Sequence, residues 1–237
     1  MKRMMAIFYK ELQSYFLAPT TYFAFAVYVL LSSFLFFMSF VYYQPSIVDY
    51  RLVLGDTLSL LIYIVPLLTM RLIAEEFKQG TDELLMTSPT SVTEIVFGKY
   101  LASLVILLLL ILCSLTYPLI MSLYGDINET TVWLSALGLF LLGASMMAIG
   151  LFASSLSQHQ MVSAVAGFII LFVLWMMDSF TGSDSAITAW LEPFSLSNRF
   201  MNFTKGVISG PDVIFYLTLA GVFLTLSIQG IERKRWR

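Results

Sequence analysis

The sequence predicts an all-α membrane protein: six transmembrane helices preceded by an N-terminal amphipathic interfacial helix, with both termini cytoplasmic. Three observations predict it. The first is composition, since 59% of the 237 residues are hydrophobic and only 12% are charged, against about 45–50% and about 25% in soluble domains. With a mean hydropathy of +0.85, a water-soluble fold would expose more apolar surface than water tolerates. The second is a series of charge-poor apolar runs near 20–43, 56–73, 96–124, 131–154, 160–178 and 212–231. Each is close to or longer than the roughly 20 residues a helix needs to cross the hydrocarbon. The third is charge asymmetry. Lys2, Arg3, Lys10, Arg71, Lys78, Lys99, Arg233, Lys234, Arg235 and Arg237 fall on one side of these runs, and Arg51, Arg199 and Lys205 on the other. The positive-inside rule places the richer side, and both termini, in the cytoplasm.

The elements follow in order as one transmembrane domain over 1–237. Residues 2–18 form the interfacial helix: Met4, Met5, Phe8, Leu12, Tyr15 and Phe16 share one face, and Lys2, Arg3, Lys10, Gln13 and Ser14 lie opposite. Such a helix lies on the leaflet with its cations at the headgroups. Lys10, Glu11, Gln13 and Ser14 also interrupt any early apolar core, which argues against a signal peptide. Pro19 ends the helix and redirects the chain into the first run. Pro66 and Pro118 are expected to kink the second and third runs. In the fourth, Ala136, Gly143 and Gly150 recur at heptad spacing beside Ala144 and Ala148. A stripe of small residues brings helix backbones close, within one bundle or between chains, and the former is expected here.

The 74–90 segment, between the second and third runs, is the most polar part of the chain. Arg71 and Glu75 form an i,i+4 pair and Glu75 and Lys78 an i,i+3 pair, so the second helix is expected to run on past the bilayer. Gly80 ends it, and Thr81 is placed to cap a short helix with acids in its first turn and Leu84, Leu85 and Met86 after them. Ser91-Val92-Thr93-Glu94 is a capping box that opens the third span. A short helix lying across the cytoplasmic ends of two spans is either a solvated connector or a docking element, and patterning alone leaves both open. Residues 179–211 carry Trp190, Pro193, Phe194, Phe200, Phe203 and Ile208. That is too apolar for a solvated loop, and the segment is expected to fold back onto the outer mouth. Asn128-Glu129-Thr130 and Asn202-Phe203-Thr204, both on the expected outer side, match the glycosylation acceptor pattern, which is short and commonly accidental. The basic tail from Arg233 fixes orientation and binds anionic headgroups.

Several function classes are excluded. The middles of the runs carry no Asp, Glu, Lys, Arg or His, which argues against an ion-coupled carrier and against intramembrane acid–base catalysis. One cysteine, Cys113, and one histidine, His159, give neither a disulfide framework nor a thiolate or bis-histidine metal site. The sole Gly-Lys pair, Gly98-Lys99, lacks the rest of a phosphate-binding loop. No catalytic residue, metal ligand or nucleic-acid partner is therefore expected; the net charge of −2 gives no case for the last.

The order of these features resembles the ABC-2-type transporter permeases. The resemblance is carried by the Glu75-Glu76-x-x-x-Gly80-Thr81-x-Glu83-Leu84-Leu85 stretch, Pro89, the Glu94-Ile95-Val96-x-Gly98-Lys99-Tyr100 run, and Lys205-Gly206-Val207-Ile208 before the last span. Within the family the likeness is nearest to gliding-motility-associated permeases and related copper-processing ones. The resemblance implies a half-transporter whose partners are two ATP-binding subunits, a second permease chain, identical or related, and membrane lipid. ATP and Mg would be held by the partner ATPase, with no cofactor in this chain. It also implies that the helix after Gly80 is a coupling helix, with Glu75, Glu76, Lys78, Gly80, Thr81, Glu83, Leu84 and Leu85 as ATPase-coupling residues. Met5, Phe8, Lys10, Leu12, Tyr15 and Phe16 of the interfacial helix would flank that contact. The expected location is a bacterial cytoplasmic membrane and the expected activity export of an amphipathic or lipid-linked substrate. The alternative is a non-transporting assembly or motility factor driven by an ABC ATPase; a lipid-modifying enzyme is a more distant third.

Overall fold

A computed structural model of the chain describes residues 2–42, 50–81, 90–180 and 195–235. Helix α1 spans Lys2–Leu17 and α2 spans Pro19–Phe36, closing in a π-helical turn over Phe37–Tyr42. The α1–α2 junction follows from Pro19: Ala18 is extended, with φ −83° and ψ 125°, and Pro19 takes the first turn of the new helix. Helix α3 spans Arg51–Thr69 and is followed, after a turn at 70–73, by the short α4, Ala74–Gln79. Then come α5 (Val92–Ser114), α6 (Thr116–Met121), α7 (Glu129–Leu156), α8 (Gln160–Phe180), α9 (Leu196–Thr204) and α10 (Gly210–Arg235). The described residues contain six helical stretches long and apolar enough to cross a membrane.

Local chemistry explains most boundaries. Ser91 accepts from Glu94 N–H at 3.2 Å while its own N–H donates to the Glu94 carboxylate at 3.2 Å, so the capping box opens α5. Asn128 caps α7 by accepting from the N–H groups of Thr130 and Thr131. Gly80, at φ +65°, ends α4 in the left-handed region that a side chain resists. The two prolines behave differently. Helix α3 runs through Pro66 without interruption, and Met70 N–H bonds to the Pro66 carbonyl at 2.9 Å; the chain turns only after Thr69. The third run, expected as one stretch to residue 124, breaks at Leu115, because Pro118 has no N–H to offer the Ser114 carbonyl.

The core belongs to α3 and α7, each with 72% of its apolar window buried, while α2, α8 and α10 bury 22%, 17% and 28%. Phe23 and Leu30 of α2, Val165 and Ile169 of α8, and Leu217 of α10 point outward, as lipid-facing side chains do in a spanning bundle. Packing around α7 is close. A Cβ on Gly143 would lie 2.7 Å from Leu107 Cδ1, and one on Gly150 only 2.2 Å from Thr69 Oγ1, so these positions of the small-residue stripe serve contacts inside the chain. Toward the N-terminal end of α7, a Cβ on Gly138 would lie 2.6 Å from Phe203 Cβ of α9. Phe200 and Phe203 of α9 are buried against the bundle. Asp212, at the start of α10, holds α9 by accepting from Arg199 at 3.0 Å and from Asn202 Nδ2 at 2.7 Å, and the Arg199 guanidinium stacks 4.3 Å above the Phe215 ring. Trp190, Pro193 and Phe194 lie outside the described residues.

Candidate coupling site

The end of the bundle opposite α9 gathers most of the ionic contacts. Helix α1 lies along the first turns of α5, and Gly98 sets their distance: a Cβ there would be 3.0 Å from Ile7 Cγ2 and 3.1 Å from the Met4 carbonyl oxygen. That approach carries the next residue, Lys99, under α1, where it is 1% exposed. Its ammonium group donates to Glu11 Oε1 of α1 at 2.8 Å and to the Leu72 carbonyl, in the α3–α4 turn, at 2.6 Å. It also lies 2.9 Å from Glu76 Oε1 of α4. One cation thus joins four segments, through two hydrogen bonds and an ion pair with Glu76. An ammonium group is placed in a dry site only with such compensation.

A second cation braces the first. Arg71 donates to Ser14 Oγ of α1 at 3.0 Å and to Thr20 Oγ1 of α2 at 2.8 Å, and its Nε lies 3.3 Å from Glu75 Oε2. The i,i+4 pair expected from the sequence is therefore formed and extended onto two further helices. Tyr15 O–H donates to the Leu68 carbonyl at 3.1 Å. Burial, reinforced by the Glu11 carboxylate and opposed by Arg71, pushes its phenol above the usual range, so it remains a donor. A cleft of about 400 Å³ lies among Lys10, Glu11, Arg71, Glu75, Glu76 and Lys99.

The α3–α4 turn is also fixed from the core. Ser154 of α7 accepts from the N–H groups of Ile73 at 3.0 Å and Ala74 at 3.1 Å, and donates to the Met70 carbonyl at 3.0 Å. Helix α4 has no side-chain cap of its own; a serine 80 residues downstream supplies it.

The residues singled out from sequence divide as follows. Glu75 and Glu76 lie within the cluster, and Lys10 reaches Glu76 at 3.5 Å from its edge. Lys78 is exposed. Gly80 ends α4, with Thr81 N–H bonded to the Glu76 carbonyl at 3.1 Å. Glu83, Leu84 and Leu85 lie outside the described residues. The apolar face assigned to α1 splits in two. Tyr15 is buried, and Phe8 and Leu12 pack against the core, while Met5 and Phe16 stay 44% and 48% exposed. The buried line instead includes Glu11 and Ala18, because the helix docks on protein along one edge. Sequence reasoning missed Glu11, Lys99 and Ser154. The available signal was that Glu11 falls four residues before Tyr15 and seven before Ala18, on one helical face.

A family model described as an ABC-2 family transporter protein matches residues 56–186, more than half of the chain and inclusive of α4 through α8. No curated protein matches the chain.

Proposed function

Because the chain belongs to the ABC-2 transporter family, as the multi-pass membrane permease subunit of an ABC transporter, we propose that residues 80–88 dock on a separate ATP-binding subunit and that the Lys99 cluster passes the displacement into the bundle. The observation that carries this reading is the convergence of α1, α4, α5 and the α3–α4 turn on Lys99. Thr81, where the segment after α4 begins, lines the cleft beside that cluster. A load applied to it reaches both flanking helices and, through Glu11, the N-terminal helix.

On this reading the cluster faces the cytoplasm, both termini lie there, and two ATP-binding subunits serve two permease chains in a bacterial cytoplasmic membrane. ATP and Mg are held by the partner, which closes on binding them. The stroke does work only if the nucleotide-bound partner binds one arrangement of the bundle more tightly than the other. The cargo is an amphipathic or lipid-linked molecule taken from the cytoplasmic leaflet and exported.

The test is co-purification with the ATP-binding subunit. Leu84→Asp and Glu83→Lys are expected to weaken the complex while each chain still inserts and folds. A complex of undiminished yield in both variants overturns the docking assignment. ATP-dependent movement of a labelled lipid in vesicles separates this reading from a non-transporting assembly factor.

A further inference from the structure

A second cavity lies away from the ionic cluster, where the third span is broken. Where the helix is interrupted at Leu115, a crevice of about 520 Å³ lies between α5–α6 and the first turns of α7. That volume falls within the range of ligand sites. Its walls are apolar, among them Leu112, Pro118, Leu119 and Val132. Trp133 lines it with 66% of its surface exposed, and Glu129 lies at the same end. From Leu112 to Ser122 the wall extends about 15 Å at the rise of a helix, which is the reach of an alkyl chain rather than of a compact solute.

The charge on the rim has one sign. No Lys or Arg occurs between Lys99 and Arg199, and the loop leading into α7 carries Asp126 ahead of Glu129. Helix α9, which brings Arg199 and Lys205, packs on the opposite face of α7: Ser135 donates to the Phe203 carbonyl at 3.3 Å, and Gly138 meets Phe203. Residues 129 and 133 lie on the other side of the helical wheel. An apolar slot with a carboxylate at its mouth and an indole face beside it suits an ammonium head on an alkyl tail.

We propose that this crevice binds a membrane amphiphile bearing a cationic ammonium head, with the head at Glu129 and Trp133 and the tail along Leu112–Leu119. As an assignment of cargo class it rests on the permease reading; as a binding site it does not. The test uses the full chain alone in dodecyl maltoside, labelled by a photoactivatable dodecyl probe carrying either a trimethylammonium or a sulfonate head, with adducts mapped by mass spectrometry. The ammonium probe is expected to label residues 112–133 about five-fold more than the sulfonate probe, the advantage of one partly exposed charge pair. Glu129→Gln is expected to erase that preference without altering total insertion of the chain. Equal labelling by both heads, a preference that survives in Glu129→Gln, or adducts that avoid α6 and α7 would each overturn the proposal. Since no ATP-binding subunit is present, failure here leaves the docking reading standing, and failure of the co-purification leaves this site standing.

Discussion

Lys99 is where a single side chain matters most. Two carboxylates and a carbonyl oxygen converge on it beneath α1, and removing the cation leaves Glu11 and Glu76, only 11% and 15% exposed, facing each other without it. Deleting one partner of a buried ionic set costs about 3–5 kcal/mol. Lys99→Met is therefore expected to lower the thermal midpoint of the purified chain markedly, and adding Glu11→Gln and Glu76→Gln to recover most of that loss. Unchanged melting of Lys99→Met would mean that the ammonium group is solvated. This residue was also the hardest to read from sequence. Lys99 counted there as one of many cytoplasmic cations, because its partner Glu11 lies 88 positions away and no local pattern links them. The capping box at Ser91 and the helix stop at Gly80 were legible, since both are decided by chemistry within a few residues.

At the scale of elements, α3, α4 and α7 form a joint. Ser154 caps the N-terminus of α4 across the helix interface, and one helical turn earlier Gly150 accommodates Thr69. Gly150→Ala would put a methyl group 2.2 Å from Thr69 Oγ1, an overpacking that costs about 1–3 kcal/mol. Thr69 Oγ1 otherwise bonds only within its own helix, to the Val65 and Pro66 carbonyls. Thr69→Ala removes the nearest atom but leaves Thr69 Cβ 2.8 Å from the added methyl group, so Gly150→Ala with Thr69→Ala is expected to recover part of the stability that Gly150→Ala alone loses; equal melting of the single and double variants would place the strain elsewhere. Hydropathy exposed the helices themselves, because a span must be apolar over its whole length. It did not expose the break at Leu115 as a boundary, since the apolar run continues past Pro118 unchanged in composition.

For the molecule as a whole, family membership makes this chain a transport subunit, and its proposed partner supplies the nucleotide chemistry. The purified chain is expected to show no ATP turnover, and turnover is expected to appear only when the ATP-binding subunit is added. Hydrolysis by the chain alone, carried through a second purification step, would overturn the half-transporter reading. Orientation is tested in the same preparation by protease access to the basic C-terminal tail in sealed vesicles: cleavage from the cytoplasmic face alone is the expected result.

The close glycine contacts on α7 have a mechanical corollary. Gly138 and Gly150 stand about 18 Å apart along the helix, each with a neighbouring side chain resting directly on the backbone. No compliant padding separates α7 from Thr69 near one leaflet or from Phe203 near the other, and packed protein interiors compress little. A push on the Thr69 end of α7 is therefore handed to Phe203 at the other end with little loss, the helix serving as a solid rod between them.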